Sequence, residues 1–405
     1  MSVLAILRSI ALGAVLCVTA LVIALGGLVH GLDLDTHKLW QVARLLGTMR
    51  FIEQMYVEEV DPRVIVDGAI NGMVKALGDQ HSAYLDEETY ARIKEHSEGA
   101  FGGIGIVMGF DGGKVQVMSV MEGTPAEAAG ILKDDEILAV EGEAVKDMEP
   151  ELVAKNIRGK VGTEVHLLIH RAGQPDKEYT MERDTIHVKT TSAHMLENDL
   201  GYIRLVSFSE NTAEEFEEGY KKLLDDGMKG LIIDLRANPG GLINSCVKIG
   251  NIIVPEGPIV SVVERDGTKE VHNSTHTGAD IPLVVLIDGN SASASEIIAG
   301  ALQDTGAATL VGTTSYGKGS VQVVMPIPFE EDAVKLTIAK YYTPSGRSIH
   351  GKGVEPDVKV ELDASGTFDN QLAKAVEVLK EKIQKAKETP AVIEGNVRNK
   401  NAEQL

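Results

Sequence analysis

Residues 291–322 read SASASEIIAGALQDTGAATLVGTTSYGKGSVQ, and the fold is decided there. An uninterrupted apolar run, residues 282–287, precedes the stretch and is expected to form a buried strand. Asp288, Gly289 and Asn290 break that strand. Small residues then lead into a helix, with Ser293 at the N-cap and Glu296 completing a capping box. Ile297, Ile298, Ala301 and Leu302 give the helix an apolar face, and it should end near residues 304–306. A strand that turns sharply into a helix is a building unit of an α/β body.

A serine at such a junction has a chemical use. Its hydroxyl lies at the positive end of a helix, where backbone N–H groups lack partners. Ala292 and Ala294 are small enough to admit a peptide backbone, and the Ala294 N–H can face a developing oxyanion. S-x-x-E is also an ordinary helix cap, so Ser293 alone does not define a nucleophile. Lys318, in YGKGSVQ, changes the reading. Glycines on both sides leave its backbone free to turn. A buried lysine with a lowered pKa can supply the neutral amine that a serine needs as its base. Ser–Lys pairs are one form of the triad solution.

Three blocks, SASASEIIAGALQD, YGKGSVQ and the earlier DLRANPGGL (residues 234–242), resemble the carboxy-terminal processing peptidases, or tail-specific serine proteases. The resemblance covers most of the chain beyond the first thirty or so residues. It implies a crotonase-like α/β protease core with a smaller cap, Ser293 as nucleophile and Lys318 as base. It also implies that Gln322 orients the lysine, and that the turn holding Gly240 and Gly241 completes the oxyanion hole; which of the two glycines does so stays open. By itself that turn is also an ordinary lead-in to a helix in an α/β unit. Asp304 is excluded as a third member of the catalytic group, because eleven residues of straight helix span about 16 Å; it reads as a helix-end residue. His272, His276 and His350 stand in no recognised hydrolase motif. No Cys/His cluster or H-E-x-x-H suggests a metal, and no cofactor is expected.

Residues 99–183 begin with FGGIGIVM, a glycine-rich loop running into a strand. Strands over 114–120, 136–140, 163–171 and 177–183 follow, with short helices from Thr124-Pro125 and near residues 149–157. With TPAEAAGILKDDEILAVEG after it, this pattern resembles a PDZ domain, a mainly-β module. The likeness implies that Gly103, Ile104, Gly105 and Ile106 hold a peptide's terminal carboxylate through backbone N–H groups. A dinucleotide loop is excluded, since no long helix follows to receive a phosphate. Arg158, in IRGKVGT, reads as a solvated turn residue, and the family suggests a regulatory contact with the protease body.

The chain of 405 residues has room for two or three domains, and its net charge of −21 argues against nucleic acid as a partner. Cys17 and Cys246 are not expected to pair. Residues 9–29 carry no charge and exceed the roughly 20 residues that cross a bilayer. A transmembrane anchor is expected, with a cleaved signal peptide and a secreted or periplasmic product as the alternative. Arg8 before the run and Asp33 and Asp35 after it put the remainder outside the cytoplasmic membrane. Residues 36–98 have helical spacing and need a partner surface; the family uses this region for packing and dimer contacts, so a homodimer or higher oligomer is expected. Residues 184–362 form the protease core, and 363–405 a helix with a polar tail. The expectation is a membrane-bound serine endopeptidase that recognises protein C-termini. The rivals are a non-catalytic PDZ scaffold and an apolar-ligand-binding protein on the same fold.

Overall fold

The structure, a computed structural model, describes residues 35–111, 114–363 and 368–388. The membrane span expected over residues 9–29, Cys17 and the polar tail lie outside the described residues. Among the described residues no helix is long and apolar enough to cross a membrane. The chain divides into two compact units, residues 1–84 and 85–405.

The first unit contains α1 (Thr36–Met55) and α2 (Pro62–Lys75). Asp35 caps α1 by accepting the Lys38 N–H at 2.8 Å. Asp61 caps α2 through Arg63 N at 2.9 Å, with Pro62 in the first turn, where its missing N–H costs nothing. Apolar side chains stay in water along both helices, among them Trp40, Leu46, Phe51, Met55 and Met73.

The second unit opens with α3 (Glu87–Glu98), which ends at Gly99, and β1 (Ala100–Gly103). An antiparallel sheet follows in the order β2 (Ile106–Asp111), β3 (Lys114–Val120), β4 (Glu136–Val140), β5 (Glu164–His170), β6 (Lys177–Glu182). Helices α4 (Pro125–Ala129) and α5 (Pro150–Ile157) close it over Val117, Ile137, Val153, Val165 and Ile169. Alternation buries Val115 and Val117 of β3 and Val165, Leu167 and Ile169 of β5, the pattern of a sheet with one wet face. Arg183 leaves this layer buried, its guanidinium donating to the carbonyls of Asn156, Ile157 and Glu164. β7 (Asp184–His187) then returns to pair with β1.

The body is built on a sheet ordered β8 (Thr191–Leu196), β9 (Leu200–Leu205), β10 (Gly230–Asp234), β13 (Leu283–Ile287), β14 (Ala308–Gly312), β17 (Val358–Lys359). β8 runs antiparallel to β9, and the rest are parallel. β10 and β13 are buried at every position, as strands covered on both faces must be. On one face lie α6 (Thr212–Asp225), α7 (Ile243–Ile253) and α8 (Ala294–Asp304), whose Phe216, Tyr220, Ile249, Ile253, Ile297 and Leu302 form the main core. On the other, α9 (Asn370–Glu388) lays Ala375 and Leu379 against Tyr202, Ile232, Val284, Leu286 and Val311. A second, antiparallel sheet contains β11 (Gly257–Glu264), β12 (Lys269–Ser274), β15 (Ser320–Pro326) and β16 (Ala333–Tyr342).

Asn211 is the N-cap of α6, and Thr212 is buried inside the first turn, its hydroxyl accepting from Ser209 N at 2.8 Å. Strands β7, β8 and β12 are half-exposed and polar, so their short alternation gives little periodic signal, and no strand is expected there.

Candidate active site

Ser293 sits where β13 turns into α8. Its backbone has φ 56° and ψ −114°, outside the regions L-residues favour, a strain of order 1–3 kcal/mol that the surroundings must hold. Among residues 291–302 it is the one position that is not buried. The strained turn therefore presents this side chain and hides its neighbours, as in a nucleophile elbow. The two flanking serines do other work. Ser291 Oγ donates to Leu235 O at 2.8 Å, and Ser295 Oγ donates to Asn238 O at 3.0 Å. Both tie the serine turn to the loop after β10.

That loop, RANPGG, lies directly against the serine turn. Ala292 N donates to Asn238 O at 3.0 Å, and Ala237 N to Asp288 Oδ1 at 3.0 Å. Buried Asn238 organises the loop, its amide nitrogen donating to Leu205 O and its oxygen accepting the Gly240 N–H at 2.8 Å. Gly240 has φ +96°, and a Cβ there would lie 2.6 Å from Ala292 O and 2.8 Å from both Ala294 N and Ser293 Cβ. Only glycine allows this approach. Phe208 clasps the loop from outside, donating to Gly240 O at 3.0 Å and accepting from Leu242 N at 2.7 Å. Gly241 is exposed beside it.

Lys318 reaches the site on the loop before β15. It is half-buried, and burial together with the charge of Lys335 pushes its ammonium below the ordinary lysine value, against the opposing pull of Glu296. Gln322 is on β15; its amide nitrogen donates to Ser320 Oγ at 2.9 Å and Thr337 Oγ1 at 3.1 Å. The backbones of Ser293 and Lys318 meet on one buried carboxylate. Glu296 Oε2 accepts from Ser293 N at 2.8 Å and Lys318 N at 2.9 Å, and its Oε1 accepts from Ser315 Oγ and Gly317 N, both at 2.6 Å. Tyr341 O–H approaches Ser293 O at 3.2 Å and also reaches Lys318 O. The capping-box reading of Glu296 thus found half its role. Asn238, Ser315 and Tyr341 carry no local signature in the sequence.

Asp304 ends α8, as its distance along the helix requires. Burial works against its charge, but hydrogen bonds from Ser345 and Thr343 and the charge of Arg347 hold its carboxyl below the ordinary range. His276 is held by Val254 O and Asp280, and His272 faces Glu270 at 3.6 Å. His350 is exposed, on a loop packed against Gly319. Cys246 is a free thiol, fully buried, and burial pushes its pKa up.

In the PDZ-like layer, Ile104 O accepts from Ala126 N at 2.9 Å and Gly105 O from Met121 N at 2.8 Å. Peptide planarity turns the N–H groups of Gly105 and Ile106 the opposite way. Gly105 has φ +80°, and a Cβ there would strike Thr124 at 2.4 Å. A cleft of about 60 Å³ runs along these residues, Met108, Ala154 and Ile157. Arg158 stands at its edge, its guanidinium 4.2 Å from the centre of the Phe101 ring.

A strained serine elbow on an α/β sheet, a glycine turn pressed against it and an appended PDZ layer define a class of serine peptidases. The description "Peptidase family S41" matches residues 199–360, "PDZ domain" matches 92–170, and "Activating protease CtpB N-terminal domain" matches 33–89. Carboxy-terminal processing protease CtpA of Bacillus subtilis is 39% identical over 313 residues, covering 77% of this chain and 67% of its own. The carboxy-terminal-processing protease of Bartonella bacilliformis is 38% identical over 336 residues, covering 81% and 76%. A solved photosystem II D1 C-terminal processing protease is 26% identical, with TM-score 0.49 over 85% of this chain and 98% of that one. The chain belongs to the carboxy-terminal processing proteases, the PDZ-bearing serine peptidases of family S41.

Proposed function

We propose that this protease is a Ser–Lys endopeptidase that selects substrates by their free C-termini. One observation carries the reading. Ser293 stands strained and accessible at the N-terminus of α8, and the lysine loop is fastened to the same carboxylate as the Ser293 backbone. Ser293 Oγ attacks the scissile carbonyl while Lys318 Nζ, neutral, takes its proton. The oxyanion is held by the Ala294 N–H and, since Asn238 engages Gly240 N, by the N–H of exposed Gly241. Lys318 then gives the proton to the leaving amine. Water, deprotonated by the same lysine, hydrolyses the acyl-enzyme and frees Ser293. Gln322 borders the lysine loop as an orienting residue.

The N–H groups of Gly105 and Ile106, turned away from their bonded carbonyls, suit a terminal carboxylate, with the rest of the peptide laid along β2. Arg158 at the edge of that cleft is placed to sense its occupancy. The apolar side chains exposed on α1 and α2 suit self-association. The uncharged run at residues 9–29 supports a membrane-anchored enzyme with its catalytic part outside the cytoplasm. The test compares turnover of one substrate with a free and with an amidated C-terminus by wild type, Ser293→Ala and Lys318→Ala. Loss of turnover in both variants, and weaker binding of the amidated substrate, are expected. A working Lys318→Ala enzyme would refute the dyad, and equal binding of both substrates would refute carboxylate recognition.

A further inference from the structure

We propose that Glu296 and Tyr341 are positioning residues that clamp the nucleophile turn to the lysine loop, so that Ser293 and Lys318 are set by one shared buried joint. The inference rests on the Ser–Lys reading above. Glu296 is inaccessible to solvent, and it faces donors on both sides of the site. From α8 comes the N–H of Ser293; from the loop come the N–H groups of Gly317 and Lys318 and the hydroxyl of Ser315. Four donors thus converge on the two oxygens of one side chain. A helix cap needs only the first of these bonds. The other three run to the segment that carries the base.

Tyr341 makes the reverse connection. Its hydroxyl, buried on β16, lies among the carbonyls of Ser293 and Lys318 and within 3.5 Å of Glu296 Oε2. Burial, with the nearby Glu296 charge, raises its pKa, so it remains a donor. Carboxylate and phenol together therefore bind the N–H and the C=O of the same two residues. Such a joint fixes two chain segments relative to each other, and a displacement of about 1 Å between reacting groups costs about 100-fold in rate.

The joint also carries charge. Lys318 faces Glu296 from α8, Lys335 and Tyr341 from β16, and the loop of exposed His350 beside Gly319. Glu296 favours the ammonium, while burial and Lys335 favour the neutral amine. Removing the carboxylate charge lowers the Lys318 pKa further, and removing the Lys335 charge raises it.

The experiment follows single-turnover labelling of Ser293 by a fluorophosphonate across pH in the full chain. Glu296→Gln keeps the shape but turns N–H donors towards N–H donors; labelling should slow by about 100-fold, with its acid limb moved to lower pH. Lys335→Met should move the limb to higher pH and leave the plateau rate unchanged. Tyr341→Phe should slow labelling about tenfold with the limb in place. A folded Glu296→Gln enzyme whose limb does not move overturns the proposal, since loosened packing alone would slow the rate and leave the limb. If Glu296→Gln does not fold, wild-type labelling by Tyr341→Phe overturns it. Lys318→Met separates the two readings. Labelling retained there removes the dyad and the clamp with it, whereas loss there with unaltered Glu296→Gln removes the clamp alone.

Discussion

Replacing Gly240 by alanine tests how tightly the glycine turn is pressed on Ser293. The new Cβ would lie 2.6 Å from Ala292 O and 2.8 Å from Ser293 Cβ and Ala294 N, atoms of backbone or at its root that cannot swing aside. Alanine at φ +96° adds a backbone penalty of order 1–3 kcal/mol. Forced overlap in a packed site costs a further 1–3 kcal/mol or so, for a total near 2–6 kcal/mol. Gly306 provides the control: its φ is +71°, and a Cβ there meets nothing within 4 Å. Gly306→Ala should therefore lose only about 1–2 kcal/mol, the conformational part. Urea unfolding reads the stability difference, and kcat on a tagged substrate reads the geometry. Any relief of the overlap pushes Ser293 away, so kcat should fall by about 10- to 100-fold in Gly240→Ala and hold in Gly306→Ala. Equal stability of the two variants, with normal kcat in both, would refute the close approach.

Lys318→Arg should abolish turnover, because a guanidinium stays protonated at any working pH; a measurable kcat would contradict the base assignment. In wild type, kcat/KM should rise with pH through the pKa of Lys318, since the neutral amine is the active form, and that limb should lie below the ordinary lysine value. Gly105→Ala, which would strike Thr124, should weaken binding of a free C-terminal peptide measured by calorimetry while sparing Ser293 labelling. Arg236→Ala should destabilise the body by about 3–5 kcal/mol in urea, because fully buried Asp234 would lose its paired charge.

The parts of the fold legible from residues were those with strong local periodicity. β3, β4 and β13 follow from alternation or from an unbroken apolar run, and α8 from its cap and apolar face. Strands such as β8 and β12 escaped because sheet pairing, not their own sequence, makes them strands. In the site, Ser293 and Lys318 were legible as chemistry in suitable surroundings. Asn238 was not, because its work is to hold a turn by a bond within the turn and another to Leu205, distant in sequence. Tyr341 lies on a strand remote in sequence from both residues it bridges, and only the folded chain brings them together.

The bond between Arg236 and Asp369 has a consequence in time. Arg236 follows β10, at the root of the glycine turn, and it pairs with buried Asp234 and with Asp369 just before α9. The same helix covers Tyr202, Ile232, Val284 and Leu286 on one face of the sheet. A chain emerging from the ribosome makes Ser293, Lys318 and the glycine turn well before it makes α9. Until that helix has cleared the exit tunnel, one side of the sheet lies bare and Arg236 lacks its outer partner. This face of the sheet is therefore closed, and the Arg236 pairing completed, only when the last helix has been made.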